Sequence, residues 1–508
     1  MPATASLSLD RLRHDGQAFM EEMSREYYLA MGGLKPTAEL QPIYTKYRAI
    51  MTPDALGITL EAFRGSTPGT EEHRQARMLL EWLAGLQSGR ELAPLDEREM
   101  AWEASAMVSL SDGSKIQFER ASIEMANSAD RAKRLAVQDA RAKLVDAELA
   151  PLRRERFQRE RDIIEKLDLA GGYNATWELL SGISLSDLRT ECERFLKDTQ
   201  AMWDETAPEF IRRILKIEPK EATRADALAL FRAHAFDGYF PAREMESRVQ
   251  GQVRDMGVDP LAGGRIRLDT GEREGKRARA FCAPVRVPDE VYLVLRPHGG
   301  QADWSTFLHE LGHALHFAYI QPDYPFEYKW AGDNSVTESY AMLFDGLMQD
   351  AGWLKRYTDL GETHLPAFTR SAGFEELHFM RRYCAKFIYE THLYGGDVRW
   401  ESLPDLYVEL LTKATTFQYS PSEGFIDVDP GYYSARYLRA WQMQALLAET
   451  LTERYDQDWW RNPRAGPWLV ESLLSEGQKD LAHELAKRVT GRQLSFAPLV
   501  REIEHLLG

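Results

Sequence analysis

Residues 309–313 read His-Glu-Leu-Gly-His inside the segment DWSTFLHELGHALHFAYI. Asp303 stands where an N-cap belongs and Pro322 where a helix stops, so a helix is expected over 303–320. At about 100° per residue the two histidines lie roughly 40° apart around the axis and one turn along it, so both imidazoles can meet one metal ion. Glu310 lies about 60° from His313, close enough to reach a water on that ion. Phe307, Leu311, Ala314, Leu315 and Ala318 fall on the other side and give the helix a face to bury. The bland alternative is a helix with two satisfied histidines and a surface glutamate.

A catalytic zinc site takes a third protein ligand and keeps an open position. One known continuation of the motif needs Gly at 316 and His at 319, but His316 and Tyr319 stand there. His316 lies about 10 Å along the axis from His309, too far to share an ion with bonds near 2 Å. Glu338 is the remaining candidate, in AGDNSVTESYAMLFDGLMQDAG, for which a second helix is expected over 335–351. Ser335-x-x-Glu338 also has capping-box spacing, so Glu338 is either a ligand or a cap.

Around this core the chain reads as mainly helical. From about Leu9 to Asp259 amphipathic patterns follow one another, and an all-α half is expected. The charged run Ala121–Leu169 interleaves both signs, as a solvated helix face does. Between 261 and 296 the texture changes: RAFCAPVRV and EVYLVLR flank Pro288-Asp289, a hairpin signal over 279–297. Helical patterning then returns as far as Leu507. These shifts predict a helical lobe over 1–260 and a metal-binding lobe over 261–508.

A net charge of −16 argues against nucleic acid or an anionic membrane as the main partner, because both call for a basic surface. Three scattered cysteines make neither a disulfide framework nor a CxxC site. The start MPATASLSLDRLRHDGQ has no basic head followed by an apolar run, and a cytoplasmic protein is expected.

The HExxH motif, the 25-residue interval from His313 to Glu338 and the preceding hairpin RAFCAPVRVPDEVYLVLRPHGG together resemble the thimet oligopeptidase and oligoendopeptidase F family of zinc metallopeptidases. The likeness is clearest from about Arg279 to Asp345 and thinner from there to about Ala445. It implies a mainly α, zincin-like, two-lobed body, with a small β-hairpin or sheet beside the active-site helix and a deep central channel admitting short peptides. His309, His313 and Glu338 are then the ligands of one zinc ion and Glu310 is the general base. Asp345, seven positions after Glu338, becomes a partner of a zinc-bound histidine. The edge strand of the hairpin is expected to pair with the peptide, and Tyr292 is carried with the hairpin as a substrate contact. The resemblance also implies a Tyr-rich segment at 430–445. In DVDPGYYSARYLRAWQMQA the four-residue spacing assigns transition-state donors to Tyr433 and Tyr437, with Tyr432 as a competing substrate contact. The segment departs from the family pattern: Val428 stands where a His is expected, and Ala440 replaces a further tyrosine.

The expected activity is hydrolysis of internal bonds in oligopeptides by metal-activated water. A carboxypeptidase on a similar scaffold is the first alternative, with Arg436 or Arg439 gripping the substrate C-terminus. A non-enzymatic helical binding protein with a vestigial metal site is the second.

Overall fold

Two short runs rich in β-branched and aromatic residues form the expected hairpin beside the HELGH segment. In the computed structural model, which describes residues 7–232, 234–277 and 279–508, these are strands β4 (Phe281–Arg286) and β5 (Glu290–Val294). A strand that the sequence did not signal, β3 (Ile266–Asp269), pairs in parallel with β5, giving the order β3-β5-β4. β5 is therefore central and β4 is an edge. A second departure lies in the expected all-α half, where β1 (Met107–Ser109) and β2 (Lys115–Gln117) form a small antiparallel pair. The rest of the described chain is dominated by helices, so the mainly α fold holds. No helix among the described residues is long and apolar enough to cross a membrane.

The three-stranded sheet is covered on both faces. Val291 and Leu293 point to one face and join a core with Trp304, Phe307, Leu308, Leu311 and Leu315 of the motif helix, Gln301–Tyr319. Tyr292 and Val294 point to the other, with Ala283 and Val285, where the helix Leu9–Met31 lies across them through Tyr28 and Leu29. This is the period-2 alternation of a strand buried on both sides. The face expected to be buried on the motif helix is buried: Phe307, Leu311, Ala314, Leu315 and Ala318 are each at most 2% exposed.

The chain divides into two compact units that are not its sequential halves. One comprises Met1–Gln87, Ala235–Thr369 and Arg439–Leu499, the other Ser88–His234, Arg370–Leu438 and Val500–Gly508. The expected boundary at 260 thus becomes several crossings. The first unit needs the helix Leu9–Met31 to cover the sheet and residues 443–494 to complete the core around the motif helix.

Candidate functional site

Two helices of the first unit carry the candidate ligands. The motif helix begins two residues before Asp303, after Gly300 in the left-handed region (φ 90°). Asp303 is therefore not its N-cap, and its carboxylate instead accepts the amides of His298 and Gly299 in the incoming loop. The second helix runs Asn334–Asp345 and ends six residues earlier than expected, because a 3-10 turn at Gly346–Gln349 intervenes before Asp350 caps the next helix. Its N-cap is Asp333, whose carboxylate accepts from Ser335 N at 2.9 Å and from Ala482 N at 3.0 Å. Ser335 is the second residue of the helix, two positions past the cap. The capping-box reading of Glu338 falls.

The Glu338 carboxylate faces the two histidines. Glu338 Oε2 lies 3.5 Å from His309 Nε2 and 3.6 Å from His313 Nε2, and the three donors form a group in which every pair lies within 4.8 Å. Two ligands bound at about 2.1 Å to one tetrahedral ion are separated by about 3.4 Å, so the spacing is that of a site ready for a divalent ion. The far ring nitrogens are occupied as well. His309 Nδ1–H donates to Asp345 Oδ2 at 2.8 Å, and His313 Nδ1 is 2.9 Å from Thr337 Oγ1, which leaves Nε2 of both rings turned to the shared point. Two imidazoles and one carboxylate are the donor set of a catalytic zinc site with a position left open.

The electrostatics match a site built for a cation. Burial works against charge on His309, but the carboxylates of Asp345 and Glu338 outweigh it and raise the pKa to about 10. His313 is pushed the other way by burial, with the neighbouring His309 charge adding to it, and falls to about 4 despite Glu338. Without an ion His309 thus keeps its second ring proton at neutral pH while His313 is neutral, and a metal must displace that proton. His316 is fully buried, edge-on to Tyr340 at 5.0 Å, and burial takes its pKa to about 3; it is a neutral packing residue.

Glu310 is held from the sheet. Its Oε2 accepts the backbone amide of Cys282 in the edge strand at 2.8 Å. Burial raises the Glu310 pKa above the usual carboxylate value, opposed by His309, by that amide and by Arg279. An antiparallel edge strand directs alternate residues outward. Cys282 spends its outward N–H on Glu310, and Pro284, two residues on, has none to offer.

Gly312 explains how the two helices come so close. A Cβ there would stand 2.6 Å from Ala341 Cα and 2.7 Å from Tyr340 O, so only glycine lets the backbones touch. Gly312→Ala is expected to cost about 1–3 kcal/mol by overpacking and to weaken metal binding by parting the ligands. Denaturant unfolding with and without metal measures both, and unchanged stability would contradict the contact. For Asp345→Asn, metal affinity should fall about 10–100-fold, as measured by competition with a chelator; unchanged affinity would remove Asp345 from the site.

The other expected residues divide. Tyr292 sits on the central strand with its ring stacked on Tyr28 (centroids 3.8 Å apart) and its hydroxyl bonded to Glu290 at 3.0 Å and Arg267 at 3.0 Å. It is on the sheet face away from the motif helix. In the second unit Tyr432 is fully buried and donates to Asn174 Oδ1 at 2.7 Å, and Arg436 is 7% exposed with its guanidinium over the Trp177 ring. Both side chains are thus buried within that unit. Tyr433 and Tyr437 are partly exposed, edge-to-face at 4.8 Å, and the ladder continues from Tyr437 to Tyr383 at 6.0 Å. Thr337, the Cys282 amide and Gly312 belong to the site without a motif to announce them. The only hints are the adjacency of Thr337 to Glu338 and the glycine between the motif's Leu311 and His313.

No family model matches the chain, and no curated protein matches it in sequence. Solved structures do match it in shape. A carboxypeptidase from Pyrococcus furiosus aligns with TM-score 0.63 at 15% identity, over 98% of this chain and 97% of its own. A carboxypeptidase from Deinococcus radiodurans aligns with TM-score 0.58 at 14% identity, over 98% and 99%. An oligoendopeptidase F from Bacillus anthracis aligns with TM-score 0.65 at 14% identity, over 97% and 89%. The chain therefore has the fold of the helical metallopeptidases, along essentially its whole length.

Proposed function

We propose that this protein is a zinc-dependent peptidase that cleaves short peptides at internal bonds. The observation that carries the reading is the convergence of His309 Nε2, His313 Nε2 and Glu338 Oε2 beside a glutamate held by an edge strand. His309, His313 and Glu338 would hold the zinc ion, which would supply Lewis acidity toward a scissile carbonyl and lower the pKa of water at the open position. Glu310, whose pKa burial raises above the usual carboxylate value, takes the proton from the attacking water and delivers it to the leaving amine. The Cys282 amide keeps the Glu310 carboxylate in one orientation through this exchange. Asp345 and Thr337 hold the two imidazoles in the orientation that directs Nε2 to the ion. Tyr433 and Tyr437 are the proposed donors to the developing oxyanion. Replacing either by Phe is expected to lower kcat while metal content stays stoichiometric, and full activity in both variants would remove them from the mechanism.

The proposed substrates are peptides rather than folded proteins or nucleic acid, and the proposed compartment is the cytoplasm. The deciding experiment is hydrolysis of a mixed library of peptides about 5–15 residues long, with free and with amidated C-termini, before and after chelation and zinc readdition. Internal, chelator-sensitive cuts support the proposal. Cuts confined to free C-termini make the protein a carboxypeptidase, and no cuts despite stoichiometric zinc make it a binding protein.

A further inference from the structure

A recess of about 110 Å³ opens at the N-terminal end of the motif helix, lined by Arg279, Ala280, Leu295, Arg296, Asp303 and Thr306 among others. All these residues belong to the same unit as the candidate ligands. Thr306 precedes Glu310 by one turn of the motif helix, and Ala280 precedes Cys282, the residue that holds Glu310, by two positions. Ala280 stands just before the edge strand, so at about 3.3 Å per residue of extended chain the recess lies about two residues before Cys282, the residue that holds Glu310. The volume is that of about three or four water molecules, enough for a carboxylate and its carbon stem.

Two guanidinium groups line this space. Arg296 is 37% exposed at its side chain, and its Nε is buried without a hydrogen-bond partner. The carboxylate closest to it, Glu272, is 3.8 Å away and itself 70% exposed, a separation at which an ion pair contributes little. Arg279 is exposed and makes no hydrogen bond or ion pair among the described residues. Asp303 brings the one negative charge in the lining, but its Oδ2 is taken by the amides of His298 and Gly299. Leu295, Ala280, Pro297 and Met245 make the remaining wall apolar, and a charge-assisted hydrogen bond is strongest where water is thinned out.

We propose that Arg279 and Arg296 form a subsite for a carboxylate of the substrate, about two residues from the scissile bond. The inference rests on the peptidase reading, because a peptide whose scissile bond reaches Glu310 is what brings a carboxylate to the recess. That carboxylate is either the C-terminal one or an Asp or Glu side chain, and a planar guanidinium pair suits both.

The test compares wild type with an R279Q/R296Q double variant on matched peptides. One pair differs only in a free or amidated C-terminus; a second set is amidated throughout and carries Asp or Asn at each position within three residues of the cut. The wild type is expected to show a kcat/KM ratio of about tenfold or more in favour of one carboxylate form, and the double variant to bring that ratio to about one. The ratio is internal to each enzyme, so partial loss of folded protein does not move it. The position at which the preference appears identifies the source of the carboxylate. A wild-type ratio near one on all peptides, or a preference that survives in the double variant, overturns the subsite while leaving the peptidase reading intact. If the wild type cleaves nothing, the peptidase reading fails, and calorimetric binding of an N-acetyl dipeptide acid against its amide then decides the subsite: equal affinities overturn it, and an acid preference lost in the double variant supports it.

Discussion

Replacing Glu310 by Gln is expected to leave metal binding intact and to lower kcat by about 10²–10⁴-fold, the usual contribution of a positioned general base. Glutamine matches the shape of the glutamate, and its amide oxygen still accepts the Cys282 N–H that fixes the side chain. What it loses is the ability to take and return a proton. None of the three candidate ligands is altered, so zinc content measured by atomic absorption should remain stoichiometric while turnover of a cleaved peptide collapses. Retained turnover would falsify the assignment of Glu310 as the base. A loss of zinc together with turnover would instead show that the substitution disturbed the ligands.

Glu338→Ala should produce the opposite pattern. Apparent binding free energies of ~10–16 kcal/mol for four-ligand zinc sites correspond to roughly 2.5–4 kcal/mol per donor, so affinity should fall by about a hundredfold to a thousandfold. The helix itself should survive, because Asp333 caps it and Glu338 contributes nothing to that cap. Thermal unfolding separates the two effects. Metal raises the wild-type Tm by binding only the folded state, and in the variant that rise should vanish at the same zinc concentration. A variant that still gains its full Tm increment from zinc would place the third ligand elsewhere.

The metal group was legible in the sequence because its geometry is nearly one-dimensional. His309 and His313 share a face of one helix, and Glu338 follows at a distance that a second helix can span. The apolar side of the motif helix was legible for the same reason, since a period of 3.6 is written in consecutive residues. What failed depends on contacts far apart in the chain. β3 has only four residues and becomes a strand by pairing with β5, some 25 positions later. Asp303 and Ser335 both look like caps, but the first ties down a loop and the second yields to Asp333, whose other oxygen is set by Ala482. The sequence around Tyr292 and Tyr432 does not show which way their side chains turn. A strand reverses its side chains at every residue, and the residue before a helix faces its own packing: Tyr292 lies under Tyr28, and Tyr432 is turned inward by a left-handed φ of 55°. The two units are likewise invisible locally, because each is assembled from three separated stretches.

The contact at Gly312 also bears on which ions the site accepts. With the backbone of one ligand helix resting on Ala341 of the other, the separation of the three donors is set by main chain, which yields far less than side chains do. Calcium, which takes six to eight oxygen ligands at about 2.3–2.6 Å, would need the helices to part and further carboxylates to arrive. Magnesium asks for near-octahedral oxygen coordination, which two imidazoles do not provide. Among first-row ions that take nitrogen and oxygen donors at about 2.0–2.2 Å, the frame discriminates little. Cobalt or manganese in place of zinc should therefore seat without rearrangement, and the choice among them falls to their supply in the cell.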